Sequence, residues 1–406
     1  MPAQDDPTLL LSRARELFVD SIEKRPNYTC LQTVARQRYL QTGSSTYRLS
    51  CADLADRSAD LKSPLRLASI GRLRLNVAIS AGREIFSWRG AQKFDANDLD
   101  RIIGDGTVGT GDFGSFITSI FGNDSATFRS LGNSKYSYNV SRELSHYTMR
   151  VARRLVTMGY EGTFRIDDST GDLESLTVSV NDPPEGSGVC QVTTAIEFGR
   201  VPIGDGRFLL PRSSTLRMLD RAGDESVKRI QYSACREFSA ESALRLDGGG
   251  PELATILPAA APREIPKGLP VVVRLRGPID LRTSFAGDPV DGVLEKPVRD
   301  RGAEVVSTGT PVRGRVMRME ERWVPSHFLV LGLKLDEIQL DGHWIPISLE
   351  WKPNTTGQDS KGQFRPRGPQ IGPYPIERRR GIGPFLFSNR QQTVLGSKFQ
   401  SHWKTD

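Results

Sequence analysis

Residues 160–180 read Tyr160-Glu-Gly-Thr-Phe-Arg-Ile-Asp-Asp-Ser-Thr-Gly-Asp-Leu-Glu-Ser-Leu-Thr-Val-Ser-Val180. Leu176, Val178 and Val180 alternate with Ser175, Thr177 and Ser179, a period of two that buries one face of a strand and wets the other. Thr163–Asp167 forms the partner strand. Asp168-Ser-Thr-Gly-Asp172 between them carries the residues that turns prefer. The stretch reads as an antiparallel hairpin, and its surroundings repeat the pattern. Cys190, Val192, Ile196 and Phe198 share a face of the next strand. Phe208–Pro211 and Lys228–Phe238 follow downstream. Tyr28–Tyr39, Tyr47–Cys51, Leu73–Ser80 and Glu84–Trp88 precede it, with Gly82 as a hairpin turn. Strands joined mainly by hairpins, with few crossover helices, make an antiparallel sheet and an α+β fold.

Helical signals are few. Asp6 stands as an N-cap and Pro7 as a first helical residue for a helix over 6–24. Leu10, Ala14, Leu17 and Ser21 form its stripe, widened by Leu11, Phe18 and Ile22, and Pro26 ends it. Residues 95–103 read as a second helix. After the glycine-rich stretch 104–111, Asp112 caps a third that carries Phe113, Phe116, Ile117, Ile120 and Phe121.

Residues 247–266 break the texture with Gly248–Gly250 and four prolines, and read as a linker. The chain is thus expected to hold a first domain over 1–246 and a second over 267–406. No helical period appears in the second. Leu329, Leu331, Leu333 and Leu335 lie on one face, and Ile338–Leu340, Asp341-Gly342 and His343–Ile347 form a two-residue hairpin signal. An all-β barrel or sandwich is expected there, with 352–380 as a basic Gly/Pro loop.

The 406 residues carry 55 Lys+Arg against 48 Asp+Glu, a net charge of +7. Residues 352–406 hold ten basic and three acidic side chains, so the preceding body is neutral. A nucleic-acid binder with a basic face built through its fold distributes charge differently, and no nucleic-acid partner is expected. No run approaches the 18 apolar residues of a membrane-spanning helix. Arg378, Arg379 and Arg380, with Lys361, Arg365 and Arg367 nearby, are candidates for contact with an anionic surface; a solvated loop explains them as simply.

Cys30, Cys51, Cys190 and Cys235 lack CxxC spacing, and the four histidines are scattered, so no metal site and no cofactor are expected. An even cysteine count at wide spacing fits two disulfides in an exported protein, and three pairings are open. Cys30 and Cys235 stand in strands at opposite ends of the first domain, which favours joining them and leaves Cys51 with Cys190. Pro2-Ala-Gln-Asp5 has the look of the stretch around a small-residue cleavage site, so a periplasmic or secreted location is expected.

The chemical motifs fall to simpler explanations. Gly104-Asp-Gly106-Thr-Val-Gly109 matches a dinucleotide fingerprint but lacks the preceding strand and the βαβ unit. Asp112-Phe113-Gly114 matches a kinase tripeptide without the other kinase motifs. Asp167, Asp168 and Asp172 suit a hairpin tip without any calcium ion. There is no Gly-x-Ser-x-Gly elbow and no His-Glu-x-x-His pair, so no enzymatic role is expected.

Two resemblances rest on short motifs. Asn27-Tyr-Thr-Cys30, Tyr160–Asp167 with Thr170-Gly171, and Phe208-Leu-Leu-Pro211 make residues 7–246 similar to the lipoprotein-carrier superfamily. Its members wrap a half-barrel around apolar ligands. Within it the chain resembles exported acidobacterial proteins, on Thr110-Gly-Asp-Phe113 and Cys235-Arg-Glu-Phe238. Ile265-Pro-Lys-Gly268, Val271–Leu275, Phe285-Ala-Gly-Asp288 and Val312-Arg-Gly-Arg-Val316 make the remainder resemble the barrel domain of type IV secretion outer-complex proteins. Ser307-Thr-Gly309 departs from that family's pattern.

These resemblances imply an exported, non-enzymatic envelope protein. Its half-barrel would hold helices on the concave side and bind a lipid, an apolar ligand or a lipoprotein, with Trp88, Phe113, Phe116 and Phe121 as candidate contacts. Ordinary core packing is the competing explanation for each of these aromatics. The alternative function is a structural or interaction module of a cell-envelope assembly, with a protein partner.

Overall fold

The computed structural model describes residues 7–42, 49–59, 65–80, 83–89, 114–151, 154–181, 183–184, 186–238, 265–324, 326–352, 381–388 and 393–406. Residues 247–264 of the expected linker, the expected helix at 95–103, Gly82, Asp112, Phe113 and Arg378–Arg380 lie outside them. The chain divides into two compact units. One holds residues up to 68 and 75–244, and the other holds 69–74 and 245–406.

In the first unit the helices are α1 (Pro7–Glu23), α2 (Cys51–Ala59) and α3 (Ser115–Phe121). The strands are β1 (Tyr28–Gln41), β2 (Leu65–Ser80), β3 (Arg83–Trp88), β4 (Ala126–Gly132), β5 (Lys135–Val140), β6 (Thr148–Val151), β7 (Arg154–Thr157), β8 (Tyr160–Ile166), β9 (Leu173–Val180), β10 (Val189–Ile203), β11 (Gly206–Asp220) and β12 (Glu225–Glu237). Antiparallel ladders join β4, β5, β8, β9, β10, β11, β12 and β1 in that spatial order. β1 also pairs with β2, which pairs with β3. Most of these neighbours are consecutive in sequence, as hairpin connections require. β6 and β7 form a separate hairpin.

The sheet has one apolar face. Tyr136, Tyr138, Tyr160, Phe164, Leu176, Val178, Val192, Ile196 and Leu216 join Ala14 and Phe18 of α1 and Phe116, Ile117, Ile120 and Phe121 of α3 in one core. The expected stripe on α1 is shifted: Ala14 and Phe18 are buried, whereas Leu17 stays 44% exposed. α3 starts after Gly114, which occupies the N-cap without a side-chain cap.

α2 corrects the described part of the strand expected at Tyr47–Cys51: Leu49 and Ser50 are not in a strand and Cys51 begins a helix, while Tyr47 and Arg48 lie outside the described residues. Ser50 Oγ accepts from the Asp53 amide at 3.1 Å, while the Ser50 amide and hydroxyl donate to the Asp53 carboxylate at 3.1 and 2.6 Å. This reciprocal pair is a capping box, and it starts a helix where apolar content alone suggested a strand. α2 packs on β10 beside Leu54, Cys190 and Leu219. Cys190 therefore leaves the face shared by Val192 and Ile196, at a register shift between Val189 and Gln191.

The strands of the second unit are β13 (Pro270–Leu275), β14 (Ile279–Asp280), β15 (Pro289–Leu294), β16 (Val298–Asp300), β17 (Ala303–Val306), β18 (Pro311–Arg322), β19 (Phe328–Leu340), β20 (His343–Pro346), β21 (Leu349–Trp351), β22 (Gly383–Ser388), β23 (Val394–Leu395) and β24 (Gln400–Thr405). β21, β24, β13, β15, β18, β19 and β22 follow one another through antiparallel ladders. Residues 69–71 of β2 pair with the end of β18. No closed barrel forms among the described residues. Leu329, Leu331, Leu333 and Leu335 are buried together with Val316, Phe385 and Trp403. Asp341 and Gly342 both take positive φ, 49° and 79°, the turn conformation that an Asp-Gly hairpin favours.

Candidate ligand-binding face

The ladders of the first unit place residues of successive strands side by side. Val178, Thr194, Leu216, Lys228 and Arg36 make one row from β9 to β1. Leu176, Ile196, Ser214, Ile230 and Val34 make the adjacent row. All ten positions except Arg36 are buried. The face is therefore apolar from β8 to β11 and turns cationic where β12 meets β1.

Lys228 is the unexpected member. It is only 7% exposed, and burial, with the charge of Arg36 adding to it, lowers its ammonium pKa to about 7. Two acids where β12 begins pair with arginines. Glu225 takes a two-pronged bond from Arg217 at 2.8 and 2.9 Å. Asp224 pairs with Arg38 at 3.3 Å and accepts from the Gln41 amide at 2.9 Å. Lys228 was not singled out from sequence, although it alternates with Ser226 and Ile230 along β12; a lysine at such a position is normally taken for a solvated one.

Two of the four candidate aromatics are core residues. Phe121 meets Phe18 and Phe164 edge-on, each with ring centroids 5.0 Å apart, and stacks on Phe128 at 5.9 Å. Phe116 stacks on Tyr147 at 5.9 Å and meets Tyr160 edge-on. Trp88 is half-buried at the end of β3, opposite Leu75. Phe113 lies outside the described residues.

Two disulfides are present, Cys30–Cys235 between β1 and β12 and Cys51–Cys190 between α2 and β10. They fit an oxidising, extracytoplasmic setting. No described helix is long and apolar enough to cross a membrane.

Asp167 accepts from the amides and hydroxyls of Ser169 and Thr170, which hold its carboxyl near a pKa of about 2. Asp172 is clasped by Arg200 at 2.6 and 2.8 Å. That hairpin tip is satisfied by its own turn, and no group of potential metal ligands occurs among the described residues. A cleft of about 560 Å³, lined about equally by polar and apolar surface, runs past Asn139, Arg142, Met158, Tyr160, Glu161 and Asn181. Asn181 donates to Glu161 at 2.5 Å and accepts from Gln191 at 2.9 Å. These residues bring no nucleophile and base together.

No protein-family model matches the chain. No curated protein matches it either. Among the similar solved structures is a LolA superfamily protein from Nitrosomonas europaea, 12% identical, with a TM-score of 0.24; the likeness covers 57% of this chain and 93% of that one. At that level it carries no argument, and the open sheet is established by the ladders themselves. The comparisons give no support to the secretion-barrel resemblance of residues 265–406.

Proposed function

We propose that the chain is an exported, non-enzymatic envelope protein that binds an apolar ligand, a lipid or the lipid of a lipoprotein, on the apolar face of its first unit. One observation carries the reading. The apolar side chains of β5 and of β8 to β11 gather on one face of the sheet, where α1 and α3 pack. A ligand that reaches this face gains about 25 cal/mol per Å² of apolar area removed from water. The disulfides suit residence outside the cytoplasm, where such ligands are transferred between membranes.

Native mass spectrometry of protein purified from an envelope fraction tests the reading. The expected result is a lipid-sized adduct that delipidation removes and added lipid restores. Protein that carries no adduct and takes up no lipid after delipidation refutes it.

A further inference from the structure

We propose that the cleft on the outer face of β5, β8 and β9 binds an uncharged oligosaccharide. The proposal does not depend on the apolar-ligand reading, because this face of the sheet is turned away from the core.

The strand period places the site. Along β5, β8 and β9 the side chains of Tyr138, Tyr160 and Val180 turn into the core. Those of Asn139, Glu161 and Asn181, one position on, turn away from it and are exposed. Cross-strand register extends the outer row as Thr127, Asn139, Glu161, Ser179 and Thr193. Every member of that row carries a hydroxyl, an amide or a carboxylate.

Two hollows open along it. The one of about 560 Å³ reaches from Asn139 and Glu161 to Arg142 and Pro184. A second, of about 490 Å³, shares Asn139, Glu161, Ser179 and Asn181 with the first and continues to Arg129 and Thr163. The shared wall joins them into a trough, a shape that suits a chain of linked rings better than a single small molecule.

The wall of the trough is ordered. Asn181 Nδ2 donates to Glu161 at 2.5 Å, and Asn181 Oδ1 accepts from Gln191 Nε2 at 2.9 Å. A carboxylate and two amides thus stand in a fixed sequence and orientation, and each has more bonding capacity than these two bonds use. A sugar hydroxyl donates and accepts at once, so vicinal hydroxyls are matched by acceptors and donors held side by side. The ring C–H faces need apolar contact, and about half of the lining of the larger hollow is apolar.

Other ligand classes fit less well. A peptide strand docks through main-chain hydrogen bonds at a sheet edge. Here the main chain of β5, β8 and β9 is already spent in ladders. An acyl chain gains nothing from a wall of amides and hydroxyls. Among the described residues lining the larger hollow, Glu161 is the one carboxylate and Arg142 the one guanidinium, so neither sign of charge is favoured.

Calorimetric titration of the full chain with cellotetraose, maltotetraose, chitotetraose, tetragalacturonate and acetylated, amidated tetraalanine provides the test. At least one of the three uncharged tetrasaccharides is expected to bind with a Kd of about 1 mM or tighter, and the acid and the peptide more weakly. Which of the three binds best identifies the type of glycan. Glu161→Ala is expected to weaken that binding at least about tenfold and Asn181→Ala about fivefold, the increments of a charged and a neutral hydrogen bond. Both side chains are exposed, so neither change threatens the fold. Thr215→Ala, on β11 outside the trough, is expected to leave binding unchanged. Failure of all three uncharged tetrasaccharides to bind overturns the proposal, whatever the protein does with lipid. Tighter binding of tetragalacturonate overturns the assignment of an uncharged chain, and tighter binding of the peptide overturns the choice of a glycan. Sugar binding that survives both Glu161→Ala and Asn181→Ala undiminished overturns the placement in this trough.

Discussion

The Tyr138 hydroxyl donates to the Thr177 carbonyl at 2.7 Å, reaching from β5 to β9 over the strand that separates them. It passes Gly162, which pairs directly with Tyr138 in β8. A Cβ built on Gly162 would lie 1.9 Å from that carbonyl oxygen and 2.9 Å from the hydroxyl. The glycine is the absent side chain that lets this bond form. Gly162→Ala is expected to cost roughly 2–3 kcal/mol, as overpacking of a dense core does. Urea denaturation measures it, and a cost below about 0.5 kcal/mol would contradict the close approach.

The Cys30–Cys235 bond spans 205 residues of sequence, and Cys51–Cys190 spans 139. Bonds that close long loops restrict the unfolded chain strongly. Replacing Cys30 and Cys235 together by alanine is expected to lower stability by about 2–5 kcal/mol. Thermal unfolding of the variant against wild type checks this, and an unchanged midpoint would refute it.

Lys228 predicts a pH dependence of folding. Its native pKa, about 7, lies below the unfolded value near 10.5. Between those values the unfolded chain binds a proton that the native chain does not, so stability rises with pH. Below pH 7 the burial penalty is fully present. Lys228→Met removes it, and the variant is expected to be more stable than wild type at pH 7. That advantage shrinks by on the order of 2 kcal/mol by pH 9. Paired denaturation curves at the two pH values test the sign; an advantage that grows with pH excludes the argument.

Phe121 is expected to behave as core, not as a ligand contact. It is 2% exposed and touches three other rings. Phe121→Ala is expected to cost about 3–5 kcal/mol, measured by urea denaturation. A variant of native stability that loses lipid binding would reverse the assignment.

Much of the sheet is legible without coordinates. The alternation of Leu176, Val178 and Val180 marks a half-buried strand because successive side chains point to opposite faces. Asp341-Gly342 marks a hairpin because both residues tolerate positive φ. The Ser50–Asp53 capping box at α2 is equally present in the letters, beside an apolar stretch that suits a strand. Trp88, Phe116 and Phe121 are aromatics, a residue type that marks burial without saying what the ring is buried against.

What the sequence alone determined about this protein is local: the period-two strands, the turn chemistry, the neutral body and the basic final segment. Tertiary structure decided which sulfurs meet and which polar residues are buried. Lys228 shows why. Its burial depends on the register of β12 with β1, 192 positions apart at Arg36, and with Leu216 on β11. No window along the chain contains those neighbours, so nothing in the order of the letters distinguishes this lysine from a solvated one.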